Sequence, residues 1–217
     1  MPLNLSFDEV LTTTRSVRKR LDLTTPVPRE VLMECLDLAL QAPTGSNTQG
    51  WQWMFVTDPE KKAAIADIYR AGAQTYLKMG GAIPDFGEGD IRSERRGFVT
   101  DSVLYLAEHL HEVPVLMIPC LEGRIEGSPP ARGASFWASL FPAAWSFCLA
   151  LRSRGLGSCW TSLHLMGDGE KQTADVLSIP FDTYSQGALI AIGYTKGTDF
   201  RPAKRLPATE LAHWDSW

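Results

Sequence analysis

The chain has 217 residues, of which 44% are apolar, 10% aromatic and 21% charged, a composition far from that of chains that stay disordered. At about 150 residues per domain, one domain spanning 1–217 is expected, with two small ones as the fallback. The 21 basic and 25 acidic residues leave a formal charge of −4, which gives no field for holding a polyanion, so no nucleic acid partner is expected.

Ser6 followed by Glu9 predicts a capping box and a short helix from Phe7 to about Thr14, before the basic stretch Arg15-Ser16-Val17-Arg18. Pro28 opens a second helix whose apolar set Val31, Leu32, Cys35, Leu36, Leu38 and Ala39 lies mostly on one face; Pro43 and Gly45 end it. A polar loop, 42–50, leads into a strand over Gln52–Thr57, and small polar residues between helix and strand suit ligand contact. Asp58-Pro59-Glu60 launches a helix to about Met79. The stretch Gly80–Gly97 is too rich in Gly, Pro and charge for a core element and reads as a lid or variable loop.

Thr100 is expected to cap a helix ending near His111, and Val113–Cys120 reads as a strand buried on both faces. Gly133–Leu151 follows, 19 residues without a charge. That length suffices to span a bilayer, but Ser135, Ser139, Ser146 and Pro142 interrupt it, and no membrane association is expected. It reads as one helix covered by protein on all sides, in the core or at a subunit interface, kinked at Pro142 and ended by Gly155. Leu156–Leu163 is a strand or extended turn, Asp168 caps a helix to about Ser178, and Ala188–Tyr194 is the last strand. The tail 195–217 lacks a core pattern but ends in His213-Trp214-Asp215-Ser216-Trp217, so it is expected to pack on the core or on a partner subunit.

Cys35, Cys120, Cys148 and Cys159 are widely spread, with no CxxC and no histidine at ligand spacing, so neither a zinc site nor a disulfide framework is indicated. Reduced thiols fit a cytoplasmic protein, and MPLNLSFDEV lacks the basic-then-apolar pattern of an export signal. HExxH, GxSxG and GxxxxGK motifs are absent. Gly155-Leu156-Gly157 lacks the third glycine of a dinucleotide fingerprint and follows a helix, not a strand.

What remains is an ordered constellation: Thr14 to Arg18, Ala42 to Trp51, Gly155 to Gly157, Ile192-Gly193-Tyr194, and Lys204-Arg205. It resembles the FMN-dependent nitroreductase family, whose members carry an R-R-S-x-R-like motif, a helix ending A-P-S-x-x-N-x-Q-P-W, a long helix ending G-L-G, a strand ending G-Y, and a basic residue in the tail. Two positions depart from that pattern: Thr14 stands where the family has an arginine, and Gly50 where it has a proline.

The resemblance implies an α+β fold, a mixed but mainly antiparallel sheet flanked by helices, in an intertwined homodimer with FMN at the interface. Arg15, Arg18 and Arg205 are then expected at the phosphate, with Ser16 adding a hydroxyl, since charge-assisted bonds suit a dianion, and Lys204 is expected among the cofactor-binding residues. Asn47 and Gln49 suit the pyrimidine edge of the flavin because amides both donate and accept. Pro43, Thr44, Gly45 and Ser46 would complete the pocket of the partner chain. Leu156 and Gly157 would approach the ring closely, and Thr161, Leu163 and His164 fall on the family's ring-contact stretch. Arg18 would sit near flavin N1 and C2=O, or serve the phosphate alone. No side chain is expected to act as a catalytic residue, and no metal is expected. The activity implied is electron transfer from NADH or NADPH to a small-molecule acceptor, such as a nitroaromatic or quinone, by a ping-pong mechanism. A dehalogenase-like or flavin-cleaving enzyme, or a flavin-binding protein without useful turnover, are the alternatives.

Overall fold

The computed structural model describes residues 3–79, 84 and 86–217, Arg95 by its backbone alone. The capping box forms: the Glu9 amide donates to Ser6 Oγ at 3.2 Å and the Ser6 amide to the Glu9 carboxylate at 2.7 Å, starting α1 (Phe7–Thr13). Pro28 is the N-cap of α2 (Arg29–Ala39), which buries Leu32, Cys35, Leu36 and Ala39. Asp58 Oδ1 accepts from the Lys61 amide at 2.9 Å and starts α3 (Pro59–Lys78).

Among the described residues five strands make one sheet: β1 (Trp51–Val56), β2 (Val115–Glu122), β3 (Leu156–Thr161), β4 (Tyr184–Gln186) and β5 (Leu189–Tyr194). The order is β1-β2-β5-β3, with β4 also pairing β2, and every strand pair is antiparallel. A single bridge, Ser16 to Ser158, adds the parallel component among the described residues. β2 is central and buried from Val115 to Leu121. Its side chains alternate: Leu116, Ile118 and Cys120 enter the layer of α3, α4 (Arg96–His109) and α7 (Gly169–Leu177), while Val115 and Met117 enter the layer of α2 and α6 (Phe141–Ser153).

Three expectations need correction. The uncharged run is not one kinked helix but two, α5 (Pro130–Ala138) and α6, because the chain breaks at Ser139-Leu140. Leu140 is fully buried there against Gly187, where an added Cβ would meet Leu140 Cδ2 at 2.6 Å, and Pro142 sits harmlessly in the first turn of α6. Nor is the run covered all round: α6 is largely buried, but no residue of α5 is. By length and composition alone, Pro130–Ser153 would pass as a membrane span. Thr100 is not a cap either; α4 starts at Arg96, and the Thr100 hydroxyl donates back to the Arg96 carbonyl at 3.1 Å.

The short strand β4 was not foreseen. Gly155, with φ of 77°, does end α6 as expected.

Candidate functional site

Residues 14–18 run extended along the outer edge of β3, and the Val17 amide donates to the Ser158 carbonyl at 2.8 Å. Ser16 and Arg18 reach Cys159, and Val17 is buried in the same core cluster as Cys159, between the sheet and α3 and α4. Arg15 does not join Arg18; its Nη2 donates to the Arg201 carbonyl at the root of the tail. Thr14 cannot replace the family's arginine as a donor to an anion, because its hydroxyl donates to the Val10 carbonyl at 2.7 Å.

Around Arg18 the chain assembles a polar cluster that lies almost inside the core. Arg18 Nη1 donates to Ser102 Oγ at 3.3 Å, Ser102 in turn donates to the Val99 carbonyl at 2.8 Å, and the buried Arg18 Nε has no partner among the described residues. Tyr69 is 1% exposed and its hydroxyl lies 3.2 Å from Thr161 Oγ1. Burial pushes that phenol up to about 12, against the opposing effects of Thr161 and Arg18, so it remains a proton donor. The tail reaches the same end of α4: Lys204 Nζ is 2.7 Å from Glu94, and Arg205 is exposed, bonded to the Lys204 carbonyl. Of the expected lid, residues 80–83 and 85 lie outside the described residues; in the rest, Arg92 stacks over Phe86 at 3.9 Å and pairs with Asp90.

Other expected contacts are taken up by packing. An added Cβ on Gly157 would meet Thr195 at 2.7 Å and Val17 at 3.0 Å, so the glycine is accounted for by the fit of segment 17–21, and Leu156 is 1% exposed. Leu163 and His164 form a short turn, Leu163–Leu165, under α3 and α7. His164 is fully buried and its ionisation is pushed down to about 3, chiefly by desolvation, with the Gln186 side chain opposing weakly. It is a neutral interior imidazole. All four cysteines are buried with thiols shifted upward, mainly by burial, which makes them poor nucleophiles.

The loop 43–49 is exposed apart from the partly buried Thr44, and Ser46, Asn47 and Gln49 all have positive φ. Gln49 Nε2 donates to Asn47 Oδ1 at 3.1 Å, its amide to Thr44 Oγ1, and the Gly45 amide to Ser139 Oγ at 2.9 Å, pinning the loop over the α5–α6 break. Pro43 is exposed beside it. The Gly50 carbonyl accepts from the Glu122 amide at 2.9 Å, a bond that a proline would also permit. This loop enters β1, whereas Arg18 lies on β3; the two strands are the opposite edges of the sheet, about 14 Å apart across three strand spacings. One chain therefore does not bring the two groups together.

Tyr69, Ser102 and Arg152 were not foreseen. Tyr69 had a signal: a tyrosine on the buried face of a helix needs a partner for its hydroxyl. Arg152 had another, as the first charge after a long uncharged run.

An antiparallel sheet between two helical layers places the chain in the α+β class, with a cationic cluster at one sheet edge. Residues 11–194 match the model of the Nitroreductase family, and the chain belongs to that family of oxidoreductases. It is 28% identical over 214 residues to a protein named NADH dehydrogenase from Thermus thermophilus, covering 92% of this chain and 91% of that one. To a putative NAD(P)H nitroreductase of Bacillus subtilis it is 26% identical over 205 residues, with coverage of 92% and 95%. The solved structure of an FMN and NADPH-dependent nitroreductase from Sphigopyxis sp. strain HMH shares the fold, with a TM-score of 0.68 at 23% identity over 98% of this chain and all of that one.

Proposed function

We propose that the chain binds FMN and passes electrons from NADH or NADPH to small electrophiles such as nitroaromatics and quinones. The observation that carries this reading is Arg18, a largely enclosed cation with a spare buried donor, Nε, and no carboxylate partner among the described residues. An anionic, flat-ring cofactor suits such a group, and family membership supports its identity. The nearby cations fit as well: the Lys204–Glu94 pair is a surface bridge worth little, so Lys204 exchanges partners readily, and Arg205 has no acidic partner among the described residues.

FMN supplies hydride acceptance and release at its N5 atom. The chain's own residues do the placing. Ser102 orients the Arg18 guanidinium, whose low-dielectric setting strengthens its attraction for negative charge on the pyrimidine edge. Tyr69 fixes the Thr161 hydroxyl at the end of β3. Lys204 and Arg205 neutralise the phosphate. Thr44, Asn47 and Gln49, at the far sheet edge, complete the pocket of a second copy, so the working unit is a homodimer. Donor and acceptor use one slot in turn.

The test begins with the purified protein, which should be yellow with one FMN per chain, released by heat and identified by chromatography. FAD, or no flavin after reconstitution, would refute the reading. Rapid mixing with NADPH or NADH should bleach the flavin band; a spectrum that stays oxidised would make the protein a binder without turnover. Parallel double-reciprocal plots are expected, and intersecting ones with a complex of both substrates would exclude the single slot.

A further inference from the structure

Residues 14–22 and 195–205 carry eight of the chain's 21 basic residues and two of its 25 acidic ones, a net charge of +6 in 20 residues of a chain whose total is −4. The fold brings the two stretches together. Leu21 bridges Thr195, the Asp22 amide donates to the Tyr194 carbonyl at 2.8 Å, and the Lys196 amide donates to the Arg20 carbonyl at 2.8 Å. A turn at 18–21, closed by the Leu21 amide on the Arg18 carbonyl, therefore lies beside residues 196–199, and the Arg20 guanidinium reaches across to the Lys196 carbonyl at 3.0 Å and to Asp199 at 2.6 Å. Arg20 also stacks over the Phe200 ring at 4.2 Å, and the buried Arg152 lies over the same ring at 4.9 Å, adding a further positive charge under this surface.

The two acids do not balance these charges. Asp22 accepts from the hydroxyls of Thr24 and Thr25, and Asp199, which also feels Arg201, is taken by Arg20. Lys19, Lys196 and Arg201 are exposed and form no ion pair among the described residues. Exposed cations in such excess concentrate anions at their surface. In the reaction proposed above the acceptors are uncharged and the flavin phosphate is met by Lys204 and Arg205, so the electron donor is the remaining polyanion. NADPH differs from NADH by one phosphate monoester, a group that carries about −1.5 to −2 at neutral pH. The patch also borders the flavin site: Lys204, further along the same tail, meets Glu94 just before α4, the helix whose Ser102 holds Arg18.

We propose that Lys19, Lys196 and Arg201 receive the 2′-phosphate of the electron donor and make the chain selective for NADPH over NADH. This rests on the function proposed above. The arginine offers a planar fork and the lysines offer mobile point charges, which suits a monoester at an exposed surface. Groups so placed act on donor capture, and hydride transfer at the flavin is left as it is.

The test compares the wild type with the double variant Lys19→Gln and Lys196→Gln, with Arg201→Gln, and with Lys61→Gln, which removes an exposed cation at the start of α3 as a control. In the holoenzyme, kcat/KM for NADPH should exceed that for NADH by about tenfold or more at low ionic strength. The advantage should shrink in about 0.5 M salt, where screening acts within a few ångströms. The double variant and Arg201→Gln should each lose roughly five- to tenfold in kcat/KM for NADPH, through KM, while kcat, the NADH reaction and FMN content stay as in the wild type and Lys61→Gln changes nothing. Independently of turnover, calorimetry on the full chain freed of flavin should show NADP⁺ binding roughly tenfold more tightly than NAD⁺, an advantage that the variants lose. Equal kcat/KM for the two donors, equal binding of NADP⁺ and NAD⁺, or a preference that the variants keep would overturn the proposal. So would a loss of FMN affinity in the variants, which would assign the patch to the flavin phosphate. A chain that takes up no flavin yet separates NADP⁺ from NAD⁺ through these residues would remove the flavin reading and leave the subsite standing.

Discussion

Gly72 lies on the buried face of α3, where a methyl group would sit 1.9 Å from the Leu163 carbonyl oxygen and 2.9 Å from its carbon. That is about 1.5 Å short of ordinary contact, and the obstacle is backbone, which cannot rotate away as a side chain end would. In Gly72→Ala the helix itself gains up to about 1 kcal/mol, since alanine propagates a helix better than glycine. Against this, overpacking costs about 1–3 kcal/mol or more where a rigid neighbour must shift. With a backbone clash this close the cost lies at the top of that range, so a net loss of about 2 kcal/mol or more is expected, read as a lower urea midpoint with an unchanged slope. Gly97→Ala is the control: Gly97 lies in α4 with nothing within 4 Å of the added carbon, and should be neutral or slightly stabilising. Because the displaced turn follows Thr161 directly, flavin affinity should fall with stability in the first variant and not in the second. A Gly72→Ala protein as stable as the wild type would mean that α3 and the 163–165 turn do not pack as described.

Arg205→Ala should weaken FMN by about 1.5–3 kcal/mol and leave riboflavin untouched; equal losses in titrations of both would mean that Arg205 acts through the fold. The buried His164 titrates near 3 when folded and near 6.5 when unfolded, so its contribution is complete above about pH 6.5 and is lost as pH falls towards 3. Between pH 6.5 and 5 this amounts to about 2 kcal/mol, and a His164→Gln variant should show a flatter pH profile of chemical denaturation; identical profiles would refute the assignment. Ala138→Glu is exposed in a single chain and should be neutral there, but should weaken assembly if α5 is covered by a second copy; sedimentation that shows an unchanged dimer would exclude α5 from the interface.

Legibility followed locality. The capping box at Ser6 and Glu9, the Asp58-Pro59 start and the buried run of β2 rest on interactions within four residues or on a bare apolar count, and these the structure reproduces. The break at Ser139-Leu140 is dictated from elsewhere, by the space that Gly187 leaves for Leu140, and no periodicity within 133–151 encodes it. The start of α4 was misplaced for a related reason, since a threonine that can cap a helix can equally bond back into its previous turn. In the site, residue types were readable but sides were not. Arg15 and Arg18 look equivalent in sequence, and only pairing of their segment with β3 sends one to the tail root and the other to Ser102. Gly157 shows the converse: its small size is needed, but for Val17 and Thr195.

The surface of the chain bears on the same question as the divided site. It exposes 12418 Å², about 2,500 Å² more than a compact protein of 24.0 kDa would. The excess has an address: α5 buries no residue, Trp145 is 42% exposed, and Trp214 and Trp217 at the end of the tail are 86% and 101% exposed. A surplus of this size per chain falls in the range that obligate dimers hide. The proposed homodimer removes two difficulties with one operation. A two-fold axis that sets the β1 edge of one copy near the β3 edge of the other does so twice, joining each 43–49 loop to an Arg18 cluster and giving two equivalent sites. Cofactor affinity then depends on assembly, because half of the polar groups arrive only with the partner, and ligand binding stabilises the dimer by mass action.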